Sequence, residues 1–303
     1  MTRTWWRIPL LVFGVFACST AILMIKASEA HPAVLTSYRL FIGAGLLAPA
    51  WWRDRRRFGP LTRRELGMAA LPAALLSAHF ISWTVGARLT LAGNASLVVN
   101  MTPVVMPFLL FLLVRERITR GEIAGTAVAI AGMLLLTAGA ARVRREYLWG
   151  DLICFGSMVV FTAYLAMARR FRSGSSLWRY LVPLYAMAGL LSLGPAAWLT
   201  GGRLGLPPRE WLWMGLLGLV PTVMGHSILN HAMRTMRGQG VAVVNLGQFA
   251  FAGVFAFFLF SEVPPWTFYP ASALVVAGSV LAIRATPPRQ PPALRPGPEA
   301  DPT

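Results

Sequence analysis

The stretch GNASLVVN, at Gly93–Asn100, returns later in the chain as GQGVAVVN, at Gly238–Asn245, and asparagine closes both copies. The two copies lie 145 residues apart. A second pair, AIAGM at Ala129–Met133 and VVAGS at Val275–Ser279, repeats at a distance of 146 residues. Because two separate segments keep nearly the same offset, the chain is predicted to consist of two related halves.

Both halves are rich in apolar residues and poor in charge. Of the 303 residues, 56% are hydrophobic and 13% are charged, whereas a soluble domain usually has about 25% charged residues. Apolar runs of roughly 20 residues, the length that spans a bilayer as a helix, recur throughout the chain. We therefore predict an all-α membrane protein with ten transmembrane helices, at about 8–27, 33–52, 66–87, 92–114, 122–141, 149–169, 179–199, 211–233, 239–260 and 266–284.

Each half holds five of the predicted helices, and this odd number decides how the halves are oriented. A second half that begins after five crossings must enter the membrane from the opposite side. The prediction is therefore two inverted repeats, at residues 1–141 and 149–284, in which Asn100 and Asn245 are equivalent. Inverted repeats are typical of secondary transporters, whose substrate site lies near the membrane midplane between the repeats. The proline-rich remainder, residues 285–303, is predicted to be a disordered tail.

The basic residues indicate the orientation in the membrane. The net charge is +17, but the arginines lie in short clusters between the apolar runs, which favours a role in topology over a nucleic-acid surface. With the N-terminus inside, 20 Lys and Arg residues fall on the cytoplasmic side and 7 on the outer side. Cytoplasmic loops carry the excess of basic residues, so both termini are predicted to be cytoplasmic. The exception to this rule is the basic cluster Arg142–Arg145, which this orientation places on the outer side. The expected location is the bacterial plasma membrane, with the lipid bilayer as a partner.

Two longer segments carry a family resemblance. AHFISWTVGARLTLAGNASLVVNMTPVVMPFLLFLLVRERIT, at Ala78–Thr119, and LVPTVMGHSILNHAMR, at Leu219–Arg234 and followed by SEVPP, resemble the EamA-type drug/metabolite transporters. The resemblance implies a ten-helix carrier of small metabolites, often an exporter, that works by alternating access. One departure is Gly247-Gln248-Phe249, since members with a similar eighth helix commonly have Gly-Glu-Pro there. Gln248 puts a neutral amide in the place of that carboxylate.

Polar side chains inside the apolar runs are the candidate substrate site, because an unpaired polar group is costly in hydrocarbon. His79 and Trp83 are four residues apart and share one helix face, as do His226 and Asn230. One hypothesis is a cavity wall that meets a polar substrate, and the alternative is that the histidines tie neighbouring helices together. Imidazole titrates near physiological pH. If transport is coupled to protons, His79 and His226 are therefore the candidate proton carriers.

Three amides and one arginine complete the candidates. Asn100 and Asn245 are equivalent in the repeat, and Gln248 follows Asn245 by three residues on the same helix face. Two hypotheses stay open for these amides: they contribute to the cavity, or they form hydrogen bonds between helices. Arg39, inside the second predicted helix, is a candidate for binding a substrate carboxylate through two guanidinium nitrogens. The alternatives for Arg39 are extension to the membrane interface and pairing with a backbone carbonyl.

Other classes of function lack their sequence signals. The segment Phe155–Met158 (FGSM) does not match the Gly-x-Ser-Gly of an intramembrane serine protease, and no His-Glu-x-x-His motif or ATP-binding P-loop occurs. We therefore predict a transporter rather than an enzyme, without cofactor or metal, driven by an ion gradient or by the gradient of its substrate. The predicted substrate is a small polar or amino-acid-like metabolite. The alternative is a non-transporting receptor or assembly factor that uses the same helices.

Overall fold

The computed structural model describes residues 6–90, 92–140, 147–170, 176–260 and 266–285, and this part of the chain is helical without strands. Three segments discussed above lie outside the described residues: the basic cluster Arg142–Arg145, the SEVPP motif and the tail beyond residue 285. The helices are α1 (Arg7–Ser19), α2 (Ala21–Ala27), α3 (Pro32–Phe58), α4 (Arg63–Leu89), α5 (Ala92–Asn100), α6 (Thr102–Val114), α7 (Arg120–Ala140), α8 (Leu148–Arg170), α9 (Leu177–Leu199), α10 (Pro208–Leu217), a π-helix (Gly218–His226), α11 (Ser227–Thr235), α12 (Gly238–Asn245), α13 (Gln248–Phe260) and α14 (Phe268–Arg284).

Several of these helices are suited to a membrane by length and composition. Within the described residues, seven helical segments are long and apolar enough to cross a bilayer: Arg7–Ala27, Pro32–Phe58, Arg63–Leu89, Ala95–Val114, Leu148–Arg169, Leu177–Leu199 and Pro208–Thr235. Phe268–Arg284 is a shorter apolar helix. The chain is thus an all-α, multi-pass membrane protein, as the sequence predicts. The number of ten transmembrane helices stays a prediction.

Local signals set several helix ends. Thr62 caps α4 by accepting the backbone N–H of Glu65, and the Glu65 carboxylate accepts the N–H of Thr62, which makes a capping box. Ser176 caps α9 by accepting the N–H of Trp178. Helix α6 ends where the left-handed backbone of Arg115, with φ at 56°, turns the chain away. These caps satisfy backbone groups that the helix itself leaves unpaired.

Two helices are interrupted at corresponding positions of the two halves. Helix α5 ends at Asn100 and α6 begins at Thr102, while α12 ends at Asn245 and α13 begins at Gln248. Pro103, in the first turn of α6, has no N–H with which to continue the helical hydrogen bonds. Interrupted helices at corresponding positions mark the substrate site in transporters built from repeats. Both breaks are therefore candidates for positioning a substrate site between the halves.

The two halves pack against each other through small residues. A Cβ added at Gly125 on α7 would lie 2.6 Å from the carbonyl oxygen of Gly278 on α14, and one added at Gly132 would lie 2.7 Å from the carbonyl oxygen of Ala271. Glycine is required at such contacts because no larger side chain leaves room for the facing backbone. Helix α3 also packs on α9, and α4 on α8, so each of these pairs joins the first half to the second.

The loops lie at two opposite ends of the bundle. At one end Glu65, Glu116 and Glu122 of the first half each pair with an arginine of the second half; we call it the ion-pair end. Arg7, at the start of α1, donates to the carbonyl oxygen of Thr235 at this end (3.3 Å). The N-terminal helix therefore starts at the ion-pair end.

The opposite end is held by hydrogen bonds to backbone carbonyls. Lys26 Nζ donates to the carbonyl oxygen of Thr90 (2.9 Å). Arg88 donates to the carbonyl oxygens of Ala30 and Ser28, both at 2.8 Å. These contacts join the end of α2 and its following loop to the end of α4, all within the first half.

Candidate functional site

A cavity lies between the two halves beside the breaks in the interrupted helices. The space not occupied by protein atoms, its open mouth included, is about 330 Å³. The lining residues are Cys18, Ala21, His79, Phe80, Trp83, Val99, Asn100, Phe161, His226 and Gln248. The structure thus brings together five of the predicted site residues, namely His79, Trp83, Asn100, His226 and Gln248.

Amide side chains connect the interrupted helices across the two halves. Asn245 Nδ2 donates to Asn100 Oδ1 (3.2 Å), and Gln248 Nε2 donates to Asn245 Oδ1 (2.8 Å). Asn100 Nδ2 donates in turn to the carbonyl oxygen of Ser96 (2.7 Å). Asn100 both lines the cavity and joins helices, so the two hypotheses made for it are compatible. Asn245 is fully buried and lies behind Asn100 and Gln248, outside the lining.

His79 is held in position by Ser157 of α8. Ser157 Oγ donates to the His79 carbonyl oxygen (2.9 Å) and lies 2.8 Å from His79 Nδ1. Because the serine hydroxyl has one hydrogen and uses it on the carbonyl, Nδ1 carries the ring proton and donates to Ser157. The His79 ring stacks on Phe161, with centroids 4.5 Å apart, and lies nearly parallel to Trp83 at 6.2 Å. His79 therefore both lines the cavity and ties α4 to α8.

His226 faces the same aromatic side chains from the second half. It is the last residue of the π-helix, a rare conformation that is frequent at functional sites. Its ring meets Phe80 edge to face, with centroids 4.9 Å apart, and Phe161 at 5.6 Å. His226 Nδ1 is buried without a hydrogen-bond partner in the described structure. The two predicted histidines thus approach one cavity from different halves, as far as the described residues show.

Asn230 lies behind His226 and does not line the cavity. Its Nδ2 donates to the carbonyl oxygen of His226 (2.7 Å), four residues earlier, and also to the hydroxyl of Tyr164 on α8. The expectation that His226 and Asn230 form one wall of the cavity therefore differs from the geometry. The reason is that the Asn230 amide turns back onto its own helix and onto α8.

Arg39 lies beside the cavity but is separated from it by Phe80. Its side chain is fully buried, so extension to the membrane interface, one of the alternatives for this residue, is wrong. Arg39 Nε and Nη2 donate to Thr222 Oγ1 on the π-helix, at 3.1 and 2.9 Å. The guanidinium carbon lies 3.8 Å from the centre of the Phe80 ring, and Phe80 is part of the lining.

Four residues of this region are absent from the sequence-based candidates. Phe80 and Phe161 are apolar residues in apolar helices, so nothing in their pattern separates them from residues that face lipid. Thr222 and Ser157 did carry a signal, because each is a hydroxyl inside an apolar run. Their function as partners of an arginine and a histidine depends on contacts between helices distant in sequence.

The ion-pair end contains a carboxylate that is completely buried. Arg237 Nε and Nη2 donate to Glu122 Oε1 and Oε2 at 2.5 and 2.8 Å, and the Glu122 side chain is 0% exposed. Glu122 also accepts the N–H of Thr119, with which it forms a capping box at the start of α7. The hydrogen bond to Glu122 raises the pKa of the Arg237 guanidinium, which lies between α11 and α12. Arg237 therefore stays charged at every physiological pH.

A second ion pair connects the end of α8 with the loop after α6. Arg169 Nε and Nη2 donate to Glu116 Oε2 at 2.7 and 2.6 Å. Glu116 Oε1 also accepts the N–H of Gly238 at the start of α12, at 3.3 Å. Arg179 on α9 pairs in a similar way with Glu65 of the α4 capping box, at 3.0 and 2.8 Å. Each pair joins the two halves at the ion-pair end.

Comparison with known proteins agrees with the helical architecture. A crystal structure of a protein superposes with a TM-score of 0.75, covering 92% of this chain and 97% of its own, at 19% sequence identity. Similarity at that identity shows the fold alone. Comparison with curated proteins gave no match. The model of the EamA-like transporter family matches twice, over residues 5–138 and 148–284. These two matches span nearly all of both halves, and this chain therefore belongs to the EamA-like transporter family.

Proposed function

We propose that this protein is a secondary transporter that exports a small polar metabolite across the bacterial plasma membrane by alternating access. The observation that supports this best is the cavity, which has polar side chains from both halves beside two interrupted helices. A substrate held there lies between the repeats. Movement of one repeat against the other then exposes the substrate to one side of the membrane at a time.

The transport hypothesis includes a topology. We propose ten transmembrane helices in two inverted repeats, residues 1–141 and 149–284, with both termini in the cytoplasm. Arg7 contacts the ion-pair end, and Ala285, after the last helix, packs against Gly121 at the start of α7, close to Glu122 of the same end. Both contacts support termini on one side. In this arrangement the ion-pair end faces the cytoplasm, where the basic loops are concentrated.

We further propose that protons are the coupling ion and that His79 and His226 carry them. Among the described residues that line the cavity there are two histidines and no carboxylate. Imidazole changes charge near physiological pH and responds to burial and to a neighbouring anion. Protonation of these rings would therefore depend on whether a substrate is bound, which is the requirement for coupling.

Transport in proteoliposomes tests the proposal directly. The purified protein is reconstituted and offered a panel of amino acids, their derivatives and related polar metabolites, with and without an imposed pH gradient. We expect accumulation of at least one compound above its equilibrium level only when the gradient is present. A protein that binds a panel compound yet moves none across the bilayer would support the receptor or assembly-factor alternative instead.

A further inference from the structure

Arg39 is a buried cation whose hydrogen bonds are incomplete. Its side chain is fully buried, and Nη1 has no hydrogen-bond partner in the described structure. The described ion pairs of the protein do not include Arg39. A guanidinium that is removed from water without a counter-charge is strongly destabilising, so a chain retains one only where something offsets that cost.

Thr222, the polar partner of Arg39, cannot supply the missing charge. Its hydroxyl is neutral and accepts two N–H groups from Arg39, at 3.1 and 2.9 Å. It also donates its own hydrogen to the carbonyl oxygen of Leu217, five residues earlier, at 2.7 Å. A hydroxyl offers one hydrogen and two lone pairs, so Thr222 is saturated. The free hydrogens on Nη1 therefore need an acceptor that the described residues do not provide.

A second unsatisfied donor belongs to a residue of the cavity lining. Trp83 Nε1 is buried without a partner in the described part of the chain, and Trp83 belongs to the lining. An indole N–H only donates, and so does a guanidinium. The region thus has two free donors and a positive charge, which matches a ligand with acceptor oxygens and a negative charge.

The walls of the cavity add an apolar, flat surface. The His79 ring lies within 13° of the plane of Trp83 and within 21° of the plane of Phe161. Offset stacking on such rings favours a planar group on the ligand.

We propose that the substrate is a small organic carboxylate with a planar aromatic or similarly flat group. Its carboxylate binds Arg39 Nη1 and Trp83 Nε1, and its flat group lies against His79 and Phe161. Phe80, which separates Arg39 from the cavity, acts as a cover that moves aside when the carboxylate enters. The inference rests on the proposed function, because it names the substrate class of that transporter.

Matched ligands separate charge from shape in the first test. The purified protein in detergent is titrated with benzoate, phenylacetate and indole-3-acetate, each compared with its neutral amide, and binding is followed by thermal shift and calorimetry. We expect at least one carboxylate to bind about 10- to 100-fold more tightly than its amide, the factor typical of hydrogen bonds to a charged group. Equal binding of acid and amide, or no stabilisation by any of the three carboxylates, would overturn the inference.

Replacing Arg39 separates a binding cation from a structural one. In Arg39→Met we expect the carboxylate to lose about 10- to 100-fold in affinity. The melting temperature without ligand should stay equal or rise, because an apolar residue removes an uncompensated buried charge. Arg209, an exposed arginine that pairs with Glu29, supplies the control: Arg209→Gln should leave binding unchanged. A Met variant that melts much lower while keeping its affinity for the carboxylate would show that Arg39 is structural.

Replacing Phe80, the proposed cover, should change carboxylate affinity in the opposite direction from replacing Arg39. Phe80→Leu loses the contact that competes for the guanidinium, so carboxylate binding should become about 2- to 30-fold tighter, according to the usual strength of a cation–π contact. Weaker binding in this variant would rule out the cover. Transport is measured in a separate experiment. Carboxylates that bind through Arg39 without being transported would contradict the proposed function alone. Transport of neutral or cationic compounds that is unaffected in Arg39→Met would sink this inference alone.

Discussion

Replacement of Glu122 by glutamine tests whether the ion-pair end keeps the protein closed on that side. The Glu122 carboxylate is 0% exposed and takes two N–H groups from Arg237, whose side chain is 19% exposed. Glutamine has nearly the same shape, so the substitution removes the charge and leaves the packing. Among the described residues, Glu116, 4.0 Å away, is then the acidic neighbour that remains for Arg237.

The expected cost follows from the burial of the pair. Removing one partner of a buried ion pair costs about 3–5 kcal/mol, because the other charge stays buried and uncompensated. Glu116 compensates part of the charge on Arg237, so we expect a value near the lower limit, about 3 kcal/mol. In a chain of this size each kcal/mol lowers the melting temperature by about 2 °C, so the expected loss is about 6 °C.

A matched control and a double variant make the result specific. Glu29 forms an exposed pair with Arg209, with side chains 83% and 64% exposed. Glu29→Gln should therefore lower the melting temperature by less than about 2 °C, since exposed pairs contribute about 0–1 kcal/mol. Adding Arg237→Gln to Glu122→Gln should cost less than the sum of the single changes, because the pair is already broken.

Accessibility of the cavity gives the second readout. Cys18 lines the cavity and is a buried free thiol. In a Cys154→Ala background, Glu122→Gln should increase labelling of Cys18 by an impermeant maleimide applied from the side of the ion-pair end. If the melting temperature falls by less than about 2 °C, or if labelling of Cys18 does not change, the ion pair does not close this end and the reasoning is refuted.

Three further predictions address the cavity and the packing of the halves. Gln248→Leu should weaken substrate binding about 10-fold, as expected for one lost hydrogen bond, without moving the pH profile of transport, since an amide does not titrate. His79→Gln and His226→Gln together should abolish accumulation driven by a pH gradient while counterflow exchange continues; retained accumulation would make both rings structural. Gly125→Val should eliminate the monodisperse peak in detergent chromatography, because a Cβ there meets the α14 backbone, whereas Gly156→Ala, with open space around it, should leave the peak intact.

The sequence by itself determined the all-α, multi-pass membrane class, the family and the duplication. Apolar runs of membrane length report the helices directly, because each run must satisfy its own backbone hydrogen bonds in lipid. The common offset also identified Asn100 and Asn245 as equivalent, and they prove to be hydrogen-bonded to each other at the ends of two interrupted helices. Polar residues in apolar runs marked His79 and His226, since such residues are retained only where they face the interior.

Only the tertiary structure decided which helices face each other, and the details of the site depend on those contacts. The pattern within one helix shows which face is buried but not what covers it, so Phe80 and Phe161 could not be separated from lipid-facing residues. The pairing of Glu122 with Arg237, 115 residues away, follows from the packing of the two halves. Arg39 shows the same limit. The sequence left three roles open for it: ligand binding, extension to the interface and pairing with a backbone carbonyl. The crossing of α3 with the π-helix placed its guanidinium against Thr222 and Phe80, and Nη1 has no partner among the described residues.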